Sequence, residues 1–109
     1  YQLGRFDLAE QKFQKIINAA PDFVDAYFNL GFLYNQQEKF AAAAQLLEKA
    51  IELYSDRADA HFQLAMAYKH LGNTSAAKSH LQEARRYSSA WRTADVEMIG
   101  QELQALNAP

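Results

Sequence analysis

The sequence predicts an all-α fold in which antiparallel helix pairs stack into a solenoid. Three observations carry that prediction. The chain matches itself at an offset of 34 residues, each unit holds two stretches of helical apolar spacing, and no stretch sustains the alternation of a β-strand.

The repeat is dense. Ala9, Ala43 and Ala77 stand 34 apart, as do Ala26, Ala60 and Ala94, and Leu30, Leu64 and Met98. Tyr34 recurs as Tyr68, Phe6 as Phe40, Gly4 as Gly72 and Ile17 as Ile51. Residue size repeats as well: Phe13, Leu47 and Leu81 are large, with Ile16, Ala50 and Ala84 one turn later. A period of this length marks units that bury their apolar faces only against their neighbours.

In chain order, residues 5–19 give a helix with Phe6, Ala9, Phe13 and Ile16 on one stripe. Pro21 helps to end it, and Asp22 is the expected N-cap of the next helix, Val24–Gln36. That helix places Ala26, Tyr27, Leu30, Gly31 and Tyr34 on its packed side. The polar connection Gln37-Glu38-Lys39 is too short for anything but an antiparallel return along Phe40–Leu53. The pattern repeats as Ala58–His70, a turn at Leu71-Gly72 capped by Asn73, and Thr74–Tyr87. Gly31 and Ala65 mark close approach of the facing helix, with Leu47 and Leu81 as the large partners. A last helix, Thr93–Leu106, continues the register, with Thr93 as expected N-cap and Asp95 and Glu97 in its first turn. It carries Glu102 where Tyr34 and Tyr68 stood, and Val96, Ile99, Leu103 and Leu106 form its packed stripe, so it reads as a solvating cap. Trp91 is expected at the joint. The units are then 1–21 (the second helix of an incomplete repeat), 22–55, 56–89 and the capping segment 90–109.

Composition limits function. The chain has 109 residues, a net charge of −2 and no Cys, which removes disulfides, thiolate metal sites and a cysteine nucleophile. Near-neutral charge argues against a broad nucleic-acid surface, and no apolar run approaches a membrane span. The start at Tyr1 reads as a fragment of a longer protein. Absence of Cys assigns no compartment, and a soluble cytoplasmic setting is favoured over a periplasmic one.

No catalytic constellation is present. His61, His70 and His80 lack the i, i+4 spacing of a helical metal pair, and no phosphate-cradling glycine loop or nucleophile elbow occurs. His61 reads as a half-buried packing residue and His80 as solvated, while His70 suits a helix C-terminus. The basic residues Lys78, Arg85, Arg86 and Arg92 read as a helix end arranged to suit its dipole. No cofactor and no metal are expected.

The run Tyr27-x2-Leu30-Gly31-x2-Tyr34, followed by Ala43-x3-Leu47, resembles the tetratricopeptide repeat (TPR), with Tyr in the usual Trp place. His61-x2-Leu64-Ala65-x2-Tyr68 with Ala77-x3-Leu81 is similar to a second copy, and Ala9-x3-Phe13 with Pro21 to the back half of another. Departures are Ser55 and Ser89 where the family favours Pro, and His61 at the aromatic place. The resemblance implies a right-handed superhelical solenoid whose first helices line the inner curve. It also implies protein–protein interaction as the function, and adaptor or scaffold as the role.

On the first helices, the stripe not spent on packing is Asp25, Phe28, Asn29, Phe32, Asn35 and Gln36. Its mates one unit on are Asp59, Phe62, Gln63, Met66, Lys69 and His70. Phe28, Phe32, Phe62 and Met66 would floor a groove for an apolar or amphipathic segment of a partner protein, with a polar rim. Family members that hold acidic heat-shock chaperone tails use a basic and amide clamp on these helices. Here Phe28, Phe32, Gln63, Thr93 and Glu97 fill those places in one frame, and Asn29, Asp59 and Gln63 in the other, so tail binding is disfavoured. Two alternatives stand beside the groove. One is homo-oligomeric self-association through an uncovered N-terminal edge of Phe6, Phe13 and Ile16. The other is a regulatory domain of a larger protein.

Overall fold

The computed structural model describes residues 3–87 and 93–107. These form α1 (Leu3–Ala19), α2 (Val24–Gln36), α3 (Phe40–Leu53), α4 (Ala58–His70), α5 (Thr74–Arg86) and α6 (Thr93–Asn107), with no strand among the described residues. Each helix packs on the next along the chain, and α2 also touches α4, so first helices stand side by side. The long axis is 41 Å against 26 and 23 Å, and the radius of gyration is 14.0 Å. A compact chain of this length would have about 13 Å, so the molecule is drawn out along the stacking direction.

The turns inside the two complete repeats share one construction. After α2, the Lys39 amide donates to Tyr34 O and the Glu38 amide to Asn35 O. After α4, the Asn73 amide donates to Tyr68 O and the Gly72 amide to Lys69 O. Both are Schellman ends, which need a left-handed residue just past the helix. Gly72 supplies it at φ 84°, and Glu38 at φ 61°. Asn73 then caps α5, its Oδ1 accepting from the Ala76 amide at 3.1 Å. Lys39, its repeat mate, makes no such side-chain bond to α3. Asp22 does not cap α2: the cap position is Phe23, one residue on, because the turn after Pro21 delays the helix start.

Between repeats, equivalent side chains hold equivalent carbonyls. Tyr27 Oη donates to Pro21 O at 2.7 Å, and 34 residues later His61 Nε2 donates to Ser55 O at 2.8 Å. His61, a departure from the repeat pattern, therefore does the work of Tyr27 on the equivalent backbone carbonyl, which is the same acceptor in Ser55 as in Pro21.

The core is continuous along the stack. Phe6, Leu30 and Leu33 join α1 to α2, Ala43, Ala44, Leu47, Leu64 and Ala67 join α3 to α4, and Ala65, Leu81, Ala84, Ile99 and Leu103 join α4, α5 and α6. A Cβ built on Gly31 would lie 2.6 Å from Leu47 Cγ, so α2 and α3 approach at a distance only glycine allows there. Trp91 and Arg92, and the side chains of residues 93–98 with the expected Thr93 cap, lie outside the described residues.

Candidate functional site

The first helices α2 and α4 present the face on which the sequence placed the groove. Phe32 is its most open large residue, 39% exposed, and its ring stacks on Phe28 with centroids 6.4 Å apart. Phe28 is half-buried against the α3 and α4 cores, and Phe62 and Met66 are half-buried against the core of α4–α6. Three of the four residues expected to floor the groove thus also serve the core, and Phe32 alone belongs to none of these clusters.

Charge on this face is held internally. Arg57, just before α4, bridges the two repeats: Nη1 donates to Asp25, and Nε donates to Asp59 at 2.8 Å. Its guanidinium carbon also sits 4.5 Å from the Phe28 ring centre. Burial works against the Arg57 charge, but bonds to Asp59 and Asp25 outweigh it and raise its pKa above the ordinary value. Farther along, Lys69 Nζ pairs with Glu102 at 2.8 Å, joining α4 to α6. Glu102 is therefore engaged within the stack.

The amides divide. Asn35 Nδ2 donates to Gln63 O at 3.0 Å and to Gln63 Oε1 at 3.1 Å, tying α2 to α4, while Asn35 Oδ1 is buried without a partner. Asn29 and Gln36 are exposed. His70 stacks on Phe40 with centroids 4.3 Å apart, and its Nδ1 donates to Met66 O, so it leans on α3 and leaves the floor to Phe62 and Met66.

Sequence reasoning passed over Arg57. Its repeat mate is Phe23, so the 34-residue comparison offers no analogue; the available signal was a cation two residues before Asp59, whose repeat mate is Asp25 on the preceding first helix.

Two histidine readings change. His61 is buried, at 4% exposure, with both ring nitrogens engaged. His80 is half-buried rather than solvated, because α5 turns it toward His61 and Tyr68. The tyrosines flanking this layer reach back to the preceding helices. Tyr34 Oη donates to Glu10 and Tyr68 Oη to Glu48, and burial together with these carboxylates raises both phenol pKa values to about 12.

At the other end of the stack, Phe6 is not part of an open edge. It is buried at 7% exposure against Leu30 and Leu33, on the stripe with Ala9, Phe13 and Ile17 that packs on α2. The open strip is instead Arg5, Leu8, Ala9, Lys12, Phe13 and Ile16, with Leu8 61% and Ile16 37% exposed. Leu8 was missed, although its mates Ala42 and Ala76 are small and a leucine there stands out.

Among the described residues no group of three metal-ligating side chains comes together, and no helix is long and apolar enough to cross a membrane.

No curated protein matches the chain by sequence. Solved structures do match its fold. The type III secretion translocator chaperone SycD of Yersinia enterocolitica superposes with a TM-score of 0.89 at 17% identity, over 97% of this chain and 74% of that one. PcrH, solved with the chaperone-binding region of PopD, gives 0.87 at 22% identity, over 97% and 81%. The TPR2B domain of yeast Sti1, in its Hsp70 complex, gives 0.85 at 20% identity, over 94% and 83%. Two family models described as tetratricopeptide repeat cover residues 1–58 and 34–89. With the 34-residue period, the paired helices and the glycine-tight α2–α3 contact, they establish that this chain belongs to the tetratricopeptide repeat family.

Proposed function

We propose that the chain is a non-enzymatic interaction module that takes an apolar or amphipathic segment of another protein on the face of α2 and α4. The observation that carries this reading is Phe32, a large aromatic left 39% exposed on that face and backed by the Phe28 ring. Rigid aromatics with a desolvated side are where binding energy concentrates. The surrounding charges are spoken for, since Arg57 is held between Asp25 and Asp59 and Lys69 by Glu102. What remains for a ligand is an apolar floor of Phe28, Phe32, Phe62 and Met66, with exposed amides Asn29 and Gln36 at its rim. That chemistry suits apolar side chains and a peptide backbone rather than an acidic tail. The solved relatives bound to PopD and to Hsp70 are similar folds engaged with protein partners, which fits a binding role.

The test is a displayed peptide library selected on the chain, with the winners titrated by fluorescence anisotropy. Phe32→Ala should weaken the selected peptides by about tenfold or more. Selected peptides that bind Phe32→Ala and the parent chain equally would overturn the reading.

A further inference from the structure

The charges around the groove do not balance. Arg57 meets Asp59 as a fork, with Nε donating to Oδ1 at 2.8 Å and Nη2 to Oδ2 at 3.2 Å. Both oxygens of Asp59 are thereby used, and one positive charge answers one negative. Lys69 answers Glu102 at 2.8 Å. Asp25 is left over. It takes a single bond, from Arg57 Nη1 to its Oδ1, while its Oδ2 has no partner among the described residues and its side chain is 54% exposed. A carboxylate in the first turn suits the positive end of α2, but Asp59 stands in the first turn of α4 with the same benefit and is nonetheless fully paired.

The surplus carboxylate is in line with the open aromatic. Phe32 follows Asp25 by seven residues on α2, which puts the two on one ridge about 10.5 Å apart. Exposed Asn29 lies between them, and α2 holds no other charged residue.

We infer that the segment taken by this face is basic: it sets an apolar side chain on Phe32 and a Lys or Arg on the open oxygen of Asp25. This rests on the groove reading above and adds the ligand's charge and its spacing. A span of about 10 Å is about three residues of an extended chain or about seven of a helix. Arg57 is matched by Asp59 and so offers a second cation little repulsion. An acidic segment meets the reverse, because neither Arg57 nor Lys69 is free to receive it. An uncharged segment lying over Asp25 would strip water from a carboxylate and put nothing in its place, which is unfavourable.

The test uses the whole chain and a displayed library of random peptides about twelve residues long, with the winners remade as fluorescein-labelled peptides for anisotropy. Winners should share a Lys or Arg at one of the two spacings from a large apolar residue. Asp25→Asn keeps an oxygen for Arg57 and removes the charge, and it should weaken the winners by about fivefold. Salt at about 0.5 M should weaken binding to the parent chain more than to this variant. Asp25→Lys should reverse the preference, taking peptides with Glu in place of the cation over the originals. Winners with no shared cation, or equal affinities for the parent chain and Asp25→Asn, would overturn the inference. If those same peptides still lose affinity with Phe32→Ala, the groove reading survives without it. If Phe32→Ala leaves them unchanged, or the library yields no binder, both fall together.

Discussion

The imidazoles of His61 on α4 and His80 on α5 meet Nδ1 to Nδ1 at 3.1 Å. Ser55 O can only accept, so His61 Nε2 carries its proton, and in neutral His61 the Nδ1 is then an acceptor. His80 Nδ1 is the donor between the rings. One further proton is accommodated on His80 Nε2, which faces Glu48 at 3.8 Å. A second proton on His61 would have to sit on Nδ1 and would set its N–H against that of His80 inside the repeat.

Stability should therefore depend on pH near neutrality. Burial, then the neighbouring His61, pushes the His80 pKa below its ordinary value, with Glu48 and Glu83 pulling weakly the other way. The unfolded chain thus takes up this proton first as pH falls. The contribution of the neutral pair is complete above about pH 6.5 and is lost as pH drops toward and through the lowered folded-state value. Urea midpoints should fall between about pH 7.5 and pH 5, and the fall should be shallower in His80→Gln, which keeps an N–H donor at this position and does not titrate. An equal fall in the variant would assign the effect to other groups.

Helix limits were the most legible part of the structure. Val24–Gln36, Phe40–Leu53 and Ala58–His70 stand where periodicity and polar turns put them, because an antiparallel pair with a three-residue connection has little freedom. The α1 and α5 ends shifted by one or two residues, as frayed helix ends do. Side-chain partners across repeats were less legible. The 34-residue comparison rewards identity, so His61 stood only as a departure from the aromatic place, whereas the structure shows one hydrogen bond to a backbone carbonyl exchanged for another. Arg57 has no repeat mate of its kind and was invisible to that comparison. The sequence stripe was drawn through Phe6, Phe13 and Ile16, whereas the residues packed with α2 are Phe6, Phe13 and Ile17, and Ile16, one residue off that line, is left 37% exposed.

The Gly31–Leu47 contact makes a prediction whose sign reverses with context. Helix propensity alone favours Gly31→Ala by about 1 kcal/mol. The added methyl, however, would stand 2.6 Å from Leu47 Cγ and 2.9 Å from Cδ2, and Leu47 is fully buried with nowhere to retreat. Overpacking of this kind costs about 1–3 kcal/mol, so the variant should be destabilised on balance. In a Leu47→Ala background the same methyl enters space the leucine has left, and Gly31→Ala should become stabilising. Urea denaturation of the four chains measures this, and a Gly31→Ala effect of one sign in both backgrounds would refute the contact as its cause.

Glu38 and Gly72 occupy the same place in successive repeats, and they should respond to substitution in opposite directions. Both close a Schellman end with positive φ, 61° at Glu38 and 84° at Gly72. A side chain in that conformation costs about 1–2 kcal/mol that glycine does not incur, while glycine loosens the unfolded chain by rather less. Glu38 is exposed and makes no contact that would offset the strain beyond its backbone bond to Asn35. Glu38→Gly should therefore stabilise the chain by about 0.5–1 kcal/mol. At Gly72 a Cβ would meet nothing within 4 Å, so Gly72→Ala isolates the backbone term and should cost about 1 kcal/mol. Urea midpoints with unchanged slopes would report both shifts as changes in stability, and two shifts of the same sign would mean that the shared turn geometry does not govern them.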